Sequence, residues 1–310
     1  MSILHNIMCK KELKNRMLCE KEPRFTLSFY KYFTINNPYE YRDQIYKEFY
    51  KYNVLGRIYV AAEGINAQIS VPKNKYFFIK QFLCRLNSVL NNLRINKSLN
   101  DEKSFWVLSV KVRKKIVEDG IVDPLFNPEH VGIYIRSKQV NLMLKDTETI
   151  FIDMRNSYEY AIGHFEKAIE IKSLTFREQL KKIIKLMEYA KNKRIVMYCT
   201  GGIRCEKATA WMHFNGFKYV YHIEGGIIGY VHDAKKNGLP ILFKGKNFVF
   251  DNRMSEKISD EILSSCSQCN TPSDTYVNCK NNLCHLLFIQ CKNCTISFNN
   301  CCSLNCMRKI

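Results

Sequence analysis

The residues best suited to chemistry are Cys199-Thr200-Gly201-Gly202-Ile203-Arg204-Cys205. A cysteine is a nucleophile only as its thiolate, and a thiol at the usual pKa of ~8.5 is a few per cent ionised at neutral pH. Two glycines let the backbone curl so that several N–H groups aim at one small anion. Arg204, five residues beyond Cys199, adds a permanent positive charge. Together these features would bring the thiol to about 6 and leave it mostly ionised. Four residues separate the cysteine from the arginine. A loop that short holds a small group, such as a sulfane sulfur, better than a phosphate.

Two flanking elements must position this loop. Arg194 to Tyr198 is an apolar run that reads as a strand, and Glu206 to Phe214 reads as a helix. Strand, tight loop and helix place Cys199 where the unpaired N–H groups of a helix N-terminus converge. The plain alternative is a buried cysteine at a strand end before a glycine turn. The loop resembles the active-site loop of the rhodanese superfamily, whose persulfide-forming cysteine corresponds to Cys199. Asp153-Met-Arg155 and Gly163-His-Phe165 match segments that brace that loop in rhodanese-like domains, and Glu224-Gly-Gly226 follows the last strand. The resemblance implies supporting roles behind the loop for Asp153, Arg155 and His164.

Alternation of strands and helices surrounds the loop. Thr149 to Met154 and Lys218 to Ile223 read as further strands, and Phe176 to Lys191 as an amphipathic helix with Phe176, Leu180, Ile183, Ile184 and Met187 on one face. This pattern predicts a parallel sheet covered on both faces, with ligands bound at the carboxyl ends of its strands. Upstream, strands are expected over Thr26–Phe33, Val54–Ala61, Ile65–Val71 and Phe105–Arg113, with helices from Pro38 to Tyr52 and from Pro72 to Leu90. The order β-α-β-β-α-β is that of a ferredoxin-like domain. The expected organisation is therefore mixed α+β and α/β. An N-terminal arm (1–24) precedes a ferredoxin-like domain (25–120), a linker (121–145), a rhodanese-like parallel-sheet domain (146–242) and a cysteine-rich C-terminal region (243–310).

That last region holds nine of the fourteen cysteines: Cys266, Cys269, Cys279, Cys284, Cys291, Cys294, Cys301, Cys302 and Cys306. Paired C-x-x-C knuckles in a reducing compartment signal zinc, since two thiolates on one turn supply half a tetrahedral site. Eight ligands would hold two ions, leaving a ninth cysteine or His285 spare. The segment is too polar to build its own core, so metal would supply folding energy. A metal-free redox relay and an iron–sulfur cluster are the alternatives.

The chain has 310 residues, room for two or three domains. No apolar run approaches the ~20 residues that span a bilayer, and the first ten residues lack the apolar core of a signal peptide. A cytoplasmic protein without membrane contact is expected. The formal charge of +19, from 48 Lys and Arg against 29 Asp and Glu, points to a polyanionic partner, most simply RNA. A general compositional drift towards lysine would produce the same excess.

Longer strings carry a wider resemblance. Phe29-Tyr-Lys-Tyr-Phe33, Gly56-Arg-Ile-Tyr59, Glu63-Gly-Ile-Asn-Ala67, Ser104-Phe-Trp106, Asp153-Met-Arg-Asn156, Tyr198 to Lys207 and Gly245 to Asp251, with the cysteine-rich end, resemble the bacterial rhodanese-domain family of oxygen-dependent tRNA uridine hydroxylases. The resemblance implies an oxidoreductase that uses molecular oxygen to 5-hydroxylate the wobble uridine of tRNA, with Cys199 catalytic in the loop Thr200 to Arg204. No flavin or nicotinamide fingerprint and no iron triad is evident. The residues alone fit two further readings: a sulfurtransferase carrying a persulfide on Cys199, and a non-catalytic RNA-binding protein.

Overall fold

The computed structural model describes residues 4, 6, 8–100 and 103–310. After helix α1 (Lys10–Cys19), the first domain runs β1 (Arg24–Tyr32), α2 (Pro38–Lys51), β2 (Leu55–Ala61), β3 (Gly64–Pro72), α3 (Tyr76–Leu86), β4 (Asn96–Lys97) and β5 (Leu108–Val112). Its sheet has the order β4-β1-β3-β2-β5. All pairs are antiparallel except β2 with β5. The first four strands make the ferredoxin-like arrangement, with a difference from the sequence expectation. The strand that closes it beside β1 is the two-residue β4. The longer apolar stretch expected in that role instead forms β5, added in parallel at the opposite edge. Two residues cannot display the period-2 alternation by which a strand is recognised.

Alternation along these strands divides the sheet into two faces. Leu27 and Phe29 of β1, Ile58 and Val60 of β2, and Ile65, Ala67 and Ile69 of β3 form the core with Ile45 and Phe49 of α2 and Ile79 and Leu83 of α3. The next residues along, Tyr30, Tyr32, Arg57, Tyr59, Asn66 and Gln68, point to the other face, towards the cysteine loop.

The second unit runs β6 (Ile133–Ile135), α4 (Ser137–Lys145), β7 (Thr149–Asp153), α5 (Ser157–Ala161), β8 (Gly163–Phe165), β9 (Ala168–Glu170), α6 (Phe176–Leu186), β10 (Arg194–Tyr198), α7 (Ile203–Phe214), β11 (Tyr219–Ile223) and α8 (Gly226–Lys236). Its main sheet, β6-β11-β10-β7-β9, is parallel throughout. β6 and α4 lie in the stretch read from sequence as a linker, yet β6 pairs with β11 as an edge of this sheet. Ile195 and Met197 of β10 pack with α6 and α7, whereas Val196 and Tyr198 pack with α8. Burial on both faces explains why β10 reads as an unbroken apolar run.

The C-terminal region returns to this unit. β12 (Phe243–Phe248) lies between β8 and β13 (Ser255–Lys257), antiparallel to both. The hairpin β14 (Tyr276–Asn278) and β15 (Leu287–Ile289) follows, with two short helices, α9 (Lys292–Ser297) and α10 (Leu304–Met307). Among the described residues no helix is long and apolar enough to cross a membrane.

Candidate active site

Cys199 follows β10 directly and is 1 % exposed. The Gly202 N–H donates to its Sγ at 3.2 Å. Gly202 adopts φ +102°, a conformation side chains disfavour, and a Cβ there would stand 2.9 Å from the Tyr30 hydroxyl. Gly226 is under the same constraint from behind. Its φ is +64°, and a Cβ would meet the Cys199 carbonyl oxygen at 2.4 Å. Backbone bonds from Ile227 to the Cys199 carbonyl (2.9 Å) and from Ile228 to that of Thr200 (3.3 Å) fasten the loop to α8. The Glu224-Gly-Gly226 segment is therefore the floor of the loop.

Burial alone would raise the thiol pKa. The Cys205 thiol, the Arg204 guanidinium and the N–H groups of Gly202 and Cys205 outweigh it, bringing Cys199 down to about 6. Burial and the neighbouring Cys199 push Cys205 well above the ordinary thiol value. The two sulfurs are thus a thiolate and a thiol that serves as its donor. Arg204 makes a two-pronged ion pair with Glu159, 2.7 Å from Nη1 to Oε1 and 2.8 Å from Nη2 to Oε2. Nothing in a separation of 45 residues signals this partnership in the sequence. Thr200 lies near the same carboxylate, Oγ1 to Oε2 at 3.4 Å, and Ile203 accepts the Tyr32 hydroxyl on its carbonyl at 3.3 Å. Gly201 has nothing but the Asn96 amide, 4.0 Å away, where a Cβ would be.

The other expected supports lie further back. Asp153 and Arg155 form a fully buried ion pair, 2.7 Å between Oδ2 and Nη2, and Arg155 also donates to the Gly163 carbonyl at 2.5 Å. They fix the β7–α5 corner and do not reach the cavity beside Cys199. His164 stacks on the Tyr160 ring, and its Nδ1 lies 2.9 Å from the Tyr160 carbonyl. It too is absent from the cavity wall.

That cavity, about 580 Å³, is the space between the tyrosine-bearing face of the N-terminal sheet and the cysteine loop. Tyr30, Tyr32, Tyr59, Asn66 and Gln68 come from the sheet, Tyr134 from β6, Glu224 and Gly225 from the α8 entry, and Phe250 and Arg253 from the turn after β12. Its size suits a small ligand, and its aromatic walls suit a flat ring. One group that sequence reasoning did not single out is Glu206, on the first turn of α7. Its Oε1 accepts from the Tyr30 hydroxyl at 2.9 Å and from the Tyr134 hydroxyl at 2.5 Å. Burial raises its pKa against the pull of these donors. The neighbouring Lys207 is buried and reaches across to Glu63 (2.6 Å) and Asp119, locking α7 to the first domain.

In the C-terminal region two groups of four sulfurs converge: Cys266, Cys269, Cys291 and Cys294, and Cys279, Cys284, Cys302 and Cys306. Sulfurs at ~2.3 Å from a tetrahedral zinc ion lie roughly 3.8 Å from one another. The distances Cys269–Cys291 (3.6 Å), Cys284–Cys302 (3.7 Å) and Cys302–Cys306 (3.6 Å) fit that geometry. Cys301 belongs to neither group and turns its buried thiol to the Asn299 carbonyl. His285 is likewise outside both groups.

Known families align with these three regions. Residues 24–116 match the UPF0176 acylphosphatase-like domain, 137–233 the rhodanese-like domain and 244–307 the rhodanese C-terminal domain. A protein of Buchnera aphidicola subsp. Acyrthosiphon pisum (strain Tuc7), named tRNA uridine(34) hydroxylase, is 75 % identical over 309 residues, covering 100 % of this chain and 95 % of its own. Proteins of the same name from Enterobacter sp. (strain 638) and Escherichia fergusonii are each 57 % identical, covering 99 % of this chain and 88 % of theirs. The first domain is thus acylphosphatase-like, the second rhodanese-like, and the chain as a whole belongs to the tRNA uridine(34) hydroxylase family.

Proposed function

We propose that this protein 5-hydroxylates uridine 34 of tRNA with molecular oxygen as co-substrate, using the Cys199 thiolate as nucleophile. The observation that carries the reading is a thiol held at about 6 in the wall of a cavity lined by tyrosines. Uracil C5 is a poor nucleophile while the ring stays conjugated. Addition of the thiolate to C6 forms the S–C6 bond and moves the C5=C6 electron pair into an enolate on C4 and O4. C5 then attacks a peroxide-level oxygen species, formed from dioxygen by an external two-electron donor such as a thiol; the O–O bond breaks, one oxygen stays on C5 as the hydroxyl and the other leaves as water. The aromatic wall would hold the base flat, and stacking of this kind contributes ~1–3 kcal/mol per base. The lysine and arginine excess supports tRNA as the partner.

The two cysteine tetrads would each hold one zinc ion, giving the C-terminal region the folding energy that its sparse apolar core does not. Their contribution in this reading is structural. Zinc there would fix the segment that carries β12 and the Phe250 turn against the cavity.

Nucleoside mass spectrometry tests the function directly. In a bacterial strain lacking its own enzyme, the wild-type gene is expected to restore 5-hydroxyuridine derivatives at position 34, and Cys199→Ala and Cys199→Ser to restore none. Serine keeps the size but is not ionised at neutral pH. A thiolated base in place of the hydroxylated one would favour sulfur transfer from a Cys199 persulfide. No change in any nucleoside would leave only an RNA-binding protein.

A further inference from the structure

We propose that Glu206 is the base that removes the C5 hydrogen of the uracil ring held on Cys199, an inference that rests on the thiolate-addition reading above. Once C5 carries its new hydroxyl, C6 is still bonded to sulfur and the ring is saturated. Restoring the double bond requires that the C5–H bond break, its electron pair form C5=C6, and the C6–S pair return to Cys199 as thiolate. No oxidant or reductant takes part in this step. It requires one proton acceptor close to the thiolate but separate from it, which later hands its proton to water.

Glu206 meets these requirements on geometry. It lines the same cavity as Cys199. The Tyr30 hydroxyl joins the two, donating to Glu206 Oε1 at 2.9 Å and lying against Gly202, whose N–H holds the Cys199 sulfur at 3.2 Å. Tyr134 donates to the same carboxylate oxygen at 2.5 Å, so Oε1 is fixed by two phenols. The other carboxylates near the loop are held by arginines, and Asp251 and Glu256 in the same cavity wall both pair with Arg253. Glu159 grips Arg204 with both oxygens, and Glu224 is held between Arg94 and Arg136, each at 2.5 Å. Among the described residues no imidazole lines the cavity: His164 lies elsewhere, and His222 packs against the Tyr134 ring without entering the cavity wall. Charges facing Glu206 are Lys31 and the phenols of Tyr30 and Tyr32 on β1, Tyr134 on β6, and beyond them the Cys199 thiolate and Glu224. Desolvation keeps Glu206 a stronger base than an exposed glutamate, in line with removing a carbon-bound proton.

The experiment uses the full chain, a tRNA with uridine at position 34 and aerated buffer containing a thiol as two-electron donor. Wild-type protein is expected to form 5-hydroxyuridine and leave no protein–tRNA band on denaturing electrophoresis. Glu206→Gln keeps the two phenol contacts but cannot take the proton. Product is expected to fall at least ~100-fold, with a protein–tRNA band that survives denaturation and disappears when Cys199→Ala is added. Tyr134→Phe is the companion variant, which keeps the half-exposed ring and removes only its hydroxyl. It removes a donor that favours the charged carboxylate, so the pH below which the protein–tRNA band appears should lie higher than in wild type. Product from Glu206→Gln within tenfold of wild type overturns the inference. So does loss of product without the band in protein that melts at the wild-type temperature, and so does a band that appears in Tyr134→Phe at the same pH as in wild type. Wild-type protein that yields no 5-hydroxyuridine at all overturns the proposed function first, and this inference with it.

Discussion

Arg204 and Glu159 meet as two parallel N–H to O bonds of 2.7 and 2.8 Å, with Glu159 wholly buried and the Arg204 side chain 10 % exposed. The arginine therefore serves the cysteine loop from a fixed position and carries an internal counter-charge. A lysine could match the charge but not the fork.

Removing one side of that pair leaves a charge with no partner. Glu159→Ala is expected to lower unfolding free energy by about 3–5 kcal/mol, as for other broken buried pairs. Urea unfolding followed by tryptophan fluorescence measures it. A loss below about 1 kcal/mol would show that water reaches Arg204 and replaces the carboxylate.

The Cys199 thiol should titrate with a midpoint of about 6, against the ordinary 9.0. Its alkylation by iodoacetamide should accordingly stay near its maximal rate down to pH 7 and fall below pH 6. The stability consequence has a definite sign. Because the folded pKa lies below the unfolded one, the thiolate's contribution is complete above pH 9, declines as pH drops and is gone below about 6. The stability difference between wild type and Cys199→Ala should therefore shrink from pH 9 to pH 6. A difference that is flat across that window would mean the thiol is not depressed.

Gly226 offers a test of the loop floor. Alanine there combines a positive φ with an approach of 2.4 Å to the Cys199 carbonyl oxygen. The expected cost is on the order of 1–3 kcal/mol or more, with loss of the low thiol pKa in the same alkylation assay. Gly216→Ala is the control, since its φ of +85° is also positive but its Cβ meets nothing within 4 Å. Equal effects from both would remove contact with the loop as the cause.

Metal content separates the nine C-terminal cysteines. Protein purified without chelator is expected to hold two zinc equivalents by elemental analysis. Cys266→Ser and Cys279→Ser should each lose one, whereas Cys301→Ser should keep both, because its sulfur lies outside the two tetrads. Retention of both ions in Cys266→Ser would contradict this assignment.

The cysteine loop was legible because all its parts are local. A strand, two glycines, an arginine and a helix lie within about twenty consecutive residues, and each has a recognisable local preference. The C-x-x-C pairs were legible for the same reason, though which pair joins which was not. Cys266-x-x-Cys269 takes Cys291-x-x-Cys294 as its complement through folding of the hairpin β14–β15 between them. The pairing of Glu159 with Arg204, the place of Glu206 and the cavity were not legible, because they depend on contacts across 45 to 176 residues. A signal for Tyr30 and Tyr32 did exist. Alternation along β1 sets them opposite Leu27 and Phe29, so burying the apolar pair against helices necessarily presents the tyrosines on the other face.

The seam between the domains has an evolutionary consequence. The loop and the floor beneath it determine that a sulfur is ionised, but the acceptor that sulfur meets is determined by side chains contributed from β1, β6 and the turn after β12. A descendant that shed its first domain would keep an intact, reactive cysteine and lose its substrate. One that exchanged that domain could acquire a new reaction without altering a residue of the loop. Selection for new chemistry in this architecture therefore acts on the partner wall, and the cysteine loop can stay constant while the substrate changes.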